Sequence, residues 1–168
     1  MQRHTPEPST GSDTDAGTDE ATAPAAAGAP IDASVRSSFE ELVPAESGEI
    51  SVLRRKLTAW LDELPVDPDS SYDIVLATYE ALANVAAHAY PDGHGWARLY
   101  ADWAGDTVTV VVSDTGSGGA VKRVGAPPLT AGGRGLLLID EVTDQAIVES
   151  GEHGTRVTMI WRPAALRS

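Results

Sequence analysis

The chain has 168 residues, of which 42% are hydrophobic and 5% aromatic, and its formal net charge is −13. That length suits one domain, and the few aromatic residues predict a core built mainly from aliphatic side chains and alanine. The absence of cysteine excludes disulfides, thiolate metal sites and cysteine nucleophiles. The excess of acidic residues, 25 against 12 Lys and Arg, argues against broad contact with nucleic acid or an anionic membrane. The sequence has no apolar run long enough to span a membrane, and its first residues lack the apolar region of a secretory signal, so we expect a soluble cytoplasmic protein.

The first 30 residues differ in composition from the rest of the chain. They consist mostly of Ala, Thr, Pro, Gly, Ser and acidic residues, and Met1 is their only large apolar residue. Such a segment cannot bury enough apolar surface to offset the entropy of ordering it. We therefore expect a disordered acidic tail over 1–30 and one folded domain over 31–168. Five acids and one arginine give the tail a charge of −4, which leaves −9 for the domain.

Three elements are predicted in the first half of the domain. A strand pattern covers 34–43, and apolar residues then recur at helical spacing over 50–64, with charged residues on the other side. A second helix is predicted from Ser70 to Tyr90, with Asp73 placed as in a capping box. Its apolar face is predicted to hold Val75, Tyr79, Leu82, Val85, Ala86 and Ala89.

The second half of the domain is predicted to form two hairpins separated by a loop and a helix. Strands over 96–103 and 107–113 flank a short turn, and the second strand is nearly all β-branched, which predicts a central position in the sheet. The remaining elements are a Gly- and Pro-rich loop over 114–135, a helix over 135–142, and strands over 146–149 and 155–161. Hairpin-paired strands with grouped helices predict an α/β two-layer sandwich, with a mixed, mostly antiparallel sheet and helices on one face.

A polar stripe on the second helix is the first candidate for chemistry. Glu80, Asn84 and His88 are spaced by four residues, so their side chains point the same way. A stripe of this kind is most often a solvated helix face. Here it contains no Lys or Arg and alternates with alanines, which leave space as the wall of a pocket would.

Two glycine-rich segments supply the other candidates. Asp114-Thr-Gly-Ser-Gly118 follows the β-branched strand directly; it can be a simple turn, or its carboxylate can accept a hydrogen bond from an exocyclic amine while glycine lets a flat base approach. Gly132-Gly-Arg-Gly135 precedes a helix, and free N–H groups at a helix N-terminus bind phosphate. The plainer alternative is a flexible loop before a core helix. No Gly-Lys-Ser/Thr motif is present, which excludes a P-loop.

Taken in order, these motifs resemble those of the anti-sigma-factor serine/threonine kinases, small members of the ATPase superfamily that includes gyrase B and the histidine kinases. The segment from Glu80 to Tyr90 (EALANVAAHAY) resembles the N-box of that family. The Asp114 segment is similar to its first glycine box, Gly133-Arg-Gly-Leu136 to its second, and Gly154-Thr155 to its last. The resemblance covers about 34–162 and implies a Bergerat-type ATP-binding fold.

The resemblance also implies residue roles and cofactors, namely ATP and Mg²⁺. Glu80 would be the general base, Asn84 would hold Mg²⁺, and Asp114 would read the adenine amine. His88 would have a structural role. The further nucleotide-binding positions would be Gly116 and Gly118 beside the base, Thr155 supporting the adenine, and Gly133, Arg134 and Gly135 at the phosphates.

The implied function is that of a regulatory kinase that binds a sigma factor and phosphorylates Ser or Thr on an anti-sigma-factor antagonist. Family members typically dimerise, so a homodimer is expected. Three alternatives remain: an ATP-binding module that acts by contact without phosphotransfer, the catalytic domain of a histidine kinase, and a non-nucleotide α/β domain with coincidental glycines. Against the second, His4 is the only histidine upstream of the domain, and it lies in the tail. The segment 119–131 is short for a nucleotide lid and lacks the family's acidic stretch.

Overall fold

The computed structural model describes residues 36–117 and 134–163. The elements are, in chain order, β1 (Arg36–Pro44), α1 (Ser47–Asp62), α2 (Pro68–Asn84), a π-helical turn (Val85–Ala89), β2 (Trp96–Ala104), β3 (Thr107–Asp114), α3 (Arg134–Val142), β4 (Gln145–Gly151) and β5 (Gly154–Trp161). Their order agrees with the order predicted from the sequence. No helix within the described ranges is both long enough and apolar enough to cross a membrane.

The five strands form one sheet in the order β1-β2-β3-β5-β4. The two-layer α/β fold is confirmed, and β3 has the predicted central position. Every neighbouring pair of these strands is antiparallel, so the sheet within the described ranges contains none of the parallel pairing that a mixed sheet allows. For the β2–β3 and β4–β5 pairs the physical reason is that both are hairpins, and tight hairpins join only antiparallel strands.

The two faces of the sheet have different environments. On β3, Val108, Val110 and Val112 are buried, whereas the residues between them are only partly buried. The buried face packs against the helices and forms one apolar core with them. The opposite face, which we call the open face, has no element of the described chain packed on it. The helices consequently lie on one side only, and the site must be sought between them and the ends of the strands.

Helix α1 follows the predicted helical pattern closely. Its buried side chains are Ile50, Leu53, Leu57, Trp60 and Leu61. Fully burying side chains of this size stabilises a fold by about 1.5–3 kcal/mol each, before the entropy cost is counted. Trp60 also donates a hydrogen bond from Nε1 to Oγ of Ser37 at 2.9 Å, which attaches α1 to the edge strand.

The start of α2 differs from the prediction. The helix begins at Pro68, two residues before Ser70, and Asp67 caps it, in place of the predicted start at Ser70 with Asp73 as its capping-box partner. The Asp67 carboxylate accepts a hydrogen bond from the Ser70 N–H at 2.9 Å, and hydrogen bonding from Ser70 lowers the pKa of that carboxyl. Proline suits the first helical position because its missing N–H would have no helical partner there.

The apolar face and the end of α2 also required correction. Tyr79 was assigned to the apolar face but is 36% exposed, with the Arg54 guanidinium 5.6 Å from its ring centre. The predicted Leu82, Val85 and Ala89 are buried, and so are Ile74, Ala77, Thr78 and Ala81, which the prediction did not place on that face. Small alanines face inward because α2 is packed against α1, α3 and the sheet at once. The regular α-helix ends at Asn84, and the residues up to Ala89 form the π-helical turn, a feature often found at functional sites.

Candidate functional site

The C-terminal half of α2 and the first residues of α3 bring together three of the predicted site residues. Glu80 and Asn84 are both half-buried and lie one helical turn apart. A Cβ built on Gly135 would lie 3.0 Å from Oε2 of Glu80 and 3.5 Å from Nδ2 of Asn84. Gly135 therefore allows the start of α3 to approach the carboxylate and the amide. Residues that are 55 positions apart in sequence thus share one small volume.

The start of α3 has the properties of an anion site at that position. The first N–H groups of a helix have no intrahelical partner, and the helix dipole adds positive potential there. Arg134, the first residue of α3, is exposed and adds a positive charge. This arrangement can hold a phosphate group beside the carboxylate of Glu80 and the amide of Asn84.

A second group of predicted residues surrounds Asp114 at the end of β3. Oδ1 of Asp114 accepts hydrogen bonds from the Gly116 N–H at 2.9 Å and the Thr155 N–H at 3.3 Å. Burial raises the pKa of this carboxyl, and the two backbone N–H groups oppose the shift. Oδ2 accepts no hydrogen bond from any residue in the described ranges, so it is available to a donor on a ligand.

Two glycines allow the backbone to close around this carboxylate. A Cβ on Gly116 would lie 2.0 Å from the carbonyl oxygen of Ala89, so only glycine permits the loop to contact the π-helical turn. Gly154 has a φ of +117°, and a Cβ there would lie 2.0 Å from the Asp114 carbonyl oxygen. Both positions therefore need glycine for packing, and Gly154 needs it for its backbone conformation as well. Thr155 follows Gly154 and is half-buried beside Asp114.

The two groups lie at either end of one continuous structure. Glu80 and Asn84 are on α2, with Gly135 of α3 beside them, and α2 continues through the π-helical turn to Ala89, which touches the loop after Asp114. The predicted positions Gly118 and Gly133, and the segment 119–131 expected to act as a lid, lie outside the described residues. No group of three or more His, Asp or Glu side chains within 36–117 and 134–163 is arranged to hold a metal ion.

Tyr90 is a residue of this region to which sequence reasoning gave no role. Its hydroxyl donates a hydrogen bond to the Trp96 carbonyl oxygen at 2.6 Å and accepts one from the Thr115 N–H at 3.2 Å. The available signal was its position as the last residue of the N-box-like segment. His88, which precedes it, is exposed.

This two-layer fold, with a half-buried carboxylate at the end of β3 and a glycine at the start of α3 beside Glu80 and Asn84, has the arrangement of a nucleotide-binding ATPase domain. The profile of the family described as histidine kinase-like ATPase domain matches residues 43–161. The chain belongs to that family, which confirms the superfamily inferred from the motifs.

Curated relatives narrow the resemblance further. The chain is similar to the serine-protein kinase RsbW of Staphylococcus aureus strain MSSA476, with 28% identity over 134 residues, covering 72% of this chain and 84% of the relative. The serine-protein kinase RsbW of strain JH9 matches to the same extent. These matches confirm the resemblance to the anti-sigma-factor kinase family.

Two solved structures share the fold. The structure of the RsbU and RsbW domains of Rv1364c from Mycobacterium tuberculosis aligns with a TM-score of 0.59 and 24% identity, over 79% of this chain and 35% of that chain. The histidine kinase domain of a blue-light-activated kinase from Erythrobacter litoralis aligns with a TM-score of 0.51 and 19% identity, over 72% of this chain and 62% of that chain. At these identities the likeness concerns the fold alone.

Proposed function

We propose that this chain is an ATP- and Mg²⁺-dependent serine/threonine protein kinase of the cytoplasm that acts as an anti-sigma factor. Its partners would be a sigma factor and an antagonist protein, and it would phosphorylate the antagonist on Ser or Thr. The observation that carries the proposal is the close approach of Gly135 to both Glu80 and Asn84, which supports an anion site beside a base and an amide. The serine-protein kinase relatives support the same function.

Each group of site residues has a distinct task in this proposal. Oδ2 of Asp114 accepts a hydrogen bond from the adenine amine, while its Oδ1 is fixed by two backbone N–H groups. Thr155 and Gly116 border the base. The start of α3, with Arg134, faces the phosphates. Glu80 takes the proton from the attacking hydroxyl, which requires a carboxylate within hydrogen-bond reach of that hydroxyl.

The residues present suit Mg²⁺ at the phosphate end. Mg²⁺ prefers oxygen ligands and usually binds through one or two protein groups, with water and phosphate oxygens completing its shell. The Asn84 amide oxygen would hold it, next to the half-buried Glu80 carboxylate. When bound, Mg²⁺ supplies positive charge that stabilises the charge developing on the transferred phosphoryl group.

Three variants on α2 test the proposal: one at the proposed base, one at the proposed metal ligand and one at a control position. Glu80→Gln should keep ATP binding near the wild-type value, whereas transfer of labelled γ-phosphate to a candidate antagonist should fall by about 10²–10⁴-fold. Asn84→Ala should lose Mg²⁺-dependent ATP binding together with transfer. Asp73→Asn is the matched control, because Asp73 lies on α2 about 10 Å along the helix from Glu80 and should transfer normally.

The outcomes distinguish the kinase from a module that acts by contact. If the wild type binds ATP and a sigma factor but transfers no phosphate to any candidate antagonist, the kinase proposal is wrong and the contact module remains. If Glu80→Gln transfers at the wild-type rate, Glu80 is not the base.

The open face of the sheet supports the homodimer included in the proposal. Large apolar residues are exposed on it, with Leu42 59%, Trp96 54% and Ile147 43% exposed, and exposed apolar groups of this kind mark interaction surfaces. The same face carries both signs of charge, including the ion pair between Arg98 and Glu40, so a second copy would not be repelled despite the net charge of −13.

A measurement of molar mass in solution tests this interface. Trp96→Arg should convert a dimer into a monomer in light scattering. Tyr72→Arg is the control, because Tyr72 is 67% exposed but lies on α2, in the other layer. A wild type that is monomeric throughout the concentration series contradicts the homodimer.

A further inference from the structure

Tyr90 joins three segments that meet beside Asp114. It follows the π-helical turn directly, and its ring is partly buried against the core. The backbone at Gly95 lies so close to the ring that a Cβ there would be 2.1 Å from a ring carbon. The ring is therefore held between the end of the helical segment and the entry to β2.

The Tyr90 hydroxyl extends the pairing of β2 and β3 beyond its last rung. In the sheet register the last pair of these strands is Ala97 opposite Asp114. One residue further out, the hydroxyl donates to the Trp96 carbonyl oxygen at 2.6 Å and accepts from the Thr115 N–H at 3.2 Å. A hydroxyl has one proton to donate and can accept as well, so both bonds form together. The phenol thus replaces a strand-to-strand bond where the two backbones separate.

This bond holds the peptide group that follows the Asp114 side chain. Fixing the Thr115 N–H fixes the rotation of the backbone after Asp114, and the next N–H, that of Gly116, binds Oδ1 of the carboxylate. Removal of the hydroxyl would release this peptide group and leave the Thr115 N–H without its described partner. The direction of the free oxygen, Oδ2, depends on the same rotation.

We propose that Tyr90 is a positioning residue for the adenine-reading carboxylate, acting through the Thr115 peptide group. The inference rests on the proposed function, since it assumes that Asp114 reads the base. Because Tyr90 also ends the helical segment that carries Glu80 and Asn84, it connects the base-reading end of the site to the phosphate end. Because its hydroxyl binds the Thr115 peptide group beside Asp114, loss of that hydroxyl should reduce discrimination between bases more than the binding of phosphates.

The experiment compares two nucleotides on the full chain. ATP carries an amine at the position where ITP carries a carbonyl oxygen, so the ratio of their affinities reports the Asp114 contact. The wild type should prefer ATP by roughly ten- to a hundredfold, and Tyr90→Phe should lower that preference by about fivefold, the worth of one neutral hydrogen bond. Tyr72→Phe should keep the wild-type ratio, because Tyr72 is an exposed residue of α2. Thr115→Ala removes a hydroxyl that lies 3.5 Å from the Tyr90 hydroxyl, but it retains the backbone donor and should keep the ratio as well.

The outcomes distinguish the proposed contact of Asp114 with adenine from the proposed positioning role of Tyr90. A wild type without preference for ATP contradicts the proposed reading of adenine and, with it, the role of Tyr90. A wild type with the preference and a Tyr90→Phe variant with the same ratio overturns the positioning role alone. A loss in Thr115→Ala equal to that in Tyr90→Phe also overturns it, since the Thr115 side chain would then be responsible. Should Tyr90→Phe not fold, amide exchange in the wild type decides: slow exchange at Thr115 is expected, and fast exchange overturns the proposal.

Discussion

Replacement of Asp114 by asparagine tests the site most sharply, because the two residues have the same shape and differ in one group. In the wild type, Oδ1 accepts from the N–H groups of Gly116 and Thr155. The asparagine carbonyl can take over that position and keep both bonds. Its NH₂ group then occupies the place of Oδ2 and presents a donor to the adenine amine, which is itself a donor.

The expected loss of affinity follows from that substitution. A hydrogen bond to a charged group contributes about 1.5–3 kcal/mol, so ATP affinity should fall by roughly ten- to a hundredfold. ITP has an acceptor at the same position and should lose much less or gain. The measurement is a titration of both nucleotides by calorimetry at one salt concentration.

Asp114→Asn should lower the affinity for ATP but should not lower the free energy of unfolding. Burial raises the pKa of Asp114 above its ordinary value of 3.8, so the ionised carboxylate costs the folded state free energy near neutral pH. The Asn variant carries no such charge and should be at least as stable as the wild type at pH 7. As the pH falls through the raised folded pKa towards 3.8, the wild type takes up a proton and this advantage should disappear.

Asp114→Ala is the matched control for these measurements. It leaves the Gly116 and Thr155 N–H groups without an acceptor, which should cost about 1–3 kcal/mol at every pH. If Asp114→Asn is destabilised as much as Asp114→Ala, the asparagine carbonyl does not replace Oδ1. If it binds ATP as tightly as the wild type, Asp114 does not contact the adenine amine.

Three further predictions concern other parts of the chain. Gly135→Ala should leave the unfolding midpoint nearly unchanged but slow phosphotransfer by roughly ten- to a hundredfold in single-turnover assays, because its Cβ would displace the Glu80 carboxylate 3.0 Å away; normal transfer contradicts this placement. Asp67→Ala should lower the free energy of unfolding by about 1 kcal/mol at pH 7. Hydrogen bonding from Ser70 lowers the pKa of Asp67 in the folded state. The difference in stability between wild type and variant should therefore be present above pH 3.8 and fade as the pH falls through that lowered pKa. Denaturant titrations at several pH values measure it, and a difference that does not change with pH contradicts the role of the carboxylate as a cap. Deletion of 1–30 should shift the thermal midpoint by no more than about 2 °C, since that segment has almost no apolar surface to bury, and a larger loss in calorimetry would mean that it docks on the domain.

The spacing of apolar residues in the sequence was sufficient to predict much of the fold. The β-branched run over 107–113 predicted the central strand, and the apolar spacing of α1 predicted the five side chains that are buried. Both patterns are local, since each repeats within a few residues and reflects burial on one side of a single element. The order of the glycine motifs likewise sufficed to predict the family.

Prediction was wrong where a choice depended on backbone geometry or on packing that the sequence pattern does not show. Asp67 and Asp73 are both acidic residues near the start of α2, and only the local backbone geometry decides which of them reaches the Ser70 N–H. Tyr79 was placed in the core because it is apolar in part, but the packing of α2 against α1 leaves its ring outside, beneath Arg54.

The candidate site depends almost entirely on tertiary structure for its geometry. The sequence alone supplied Glu80, Asn84 and Asp114 as residues with suitable chemistry. Their assembly requires contacts across long stretches of chain: Gly135 reaches Glu80 over 55 residues, and Tyr90 reaches Thr115 over 25. No local pattern encodes such contacts, because they arise only when the sheet order sets the end of β3 beside the start of β5 and the π-helical turn beside both.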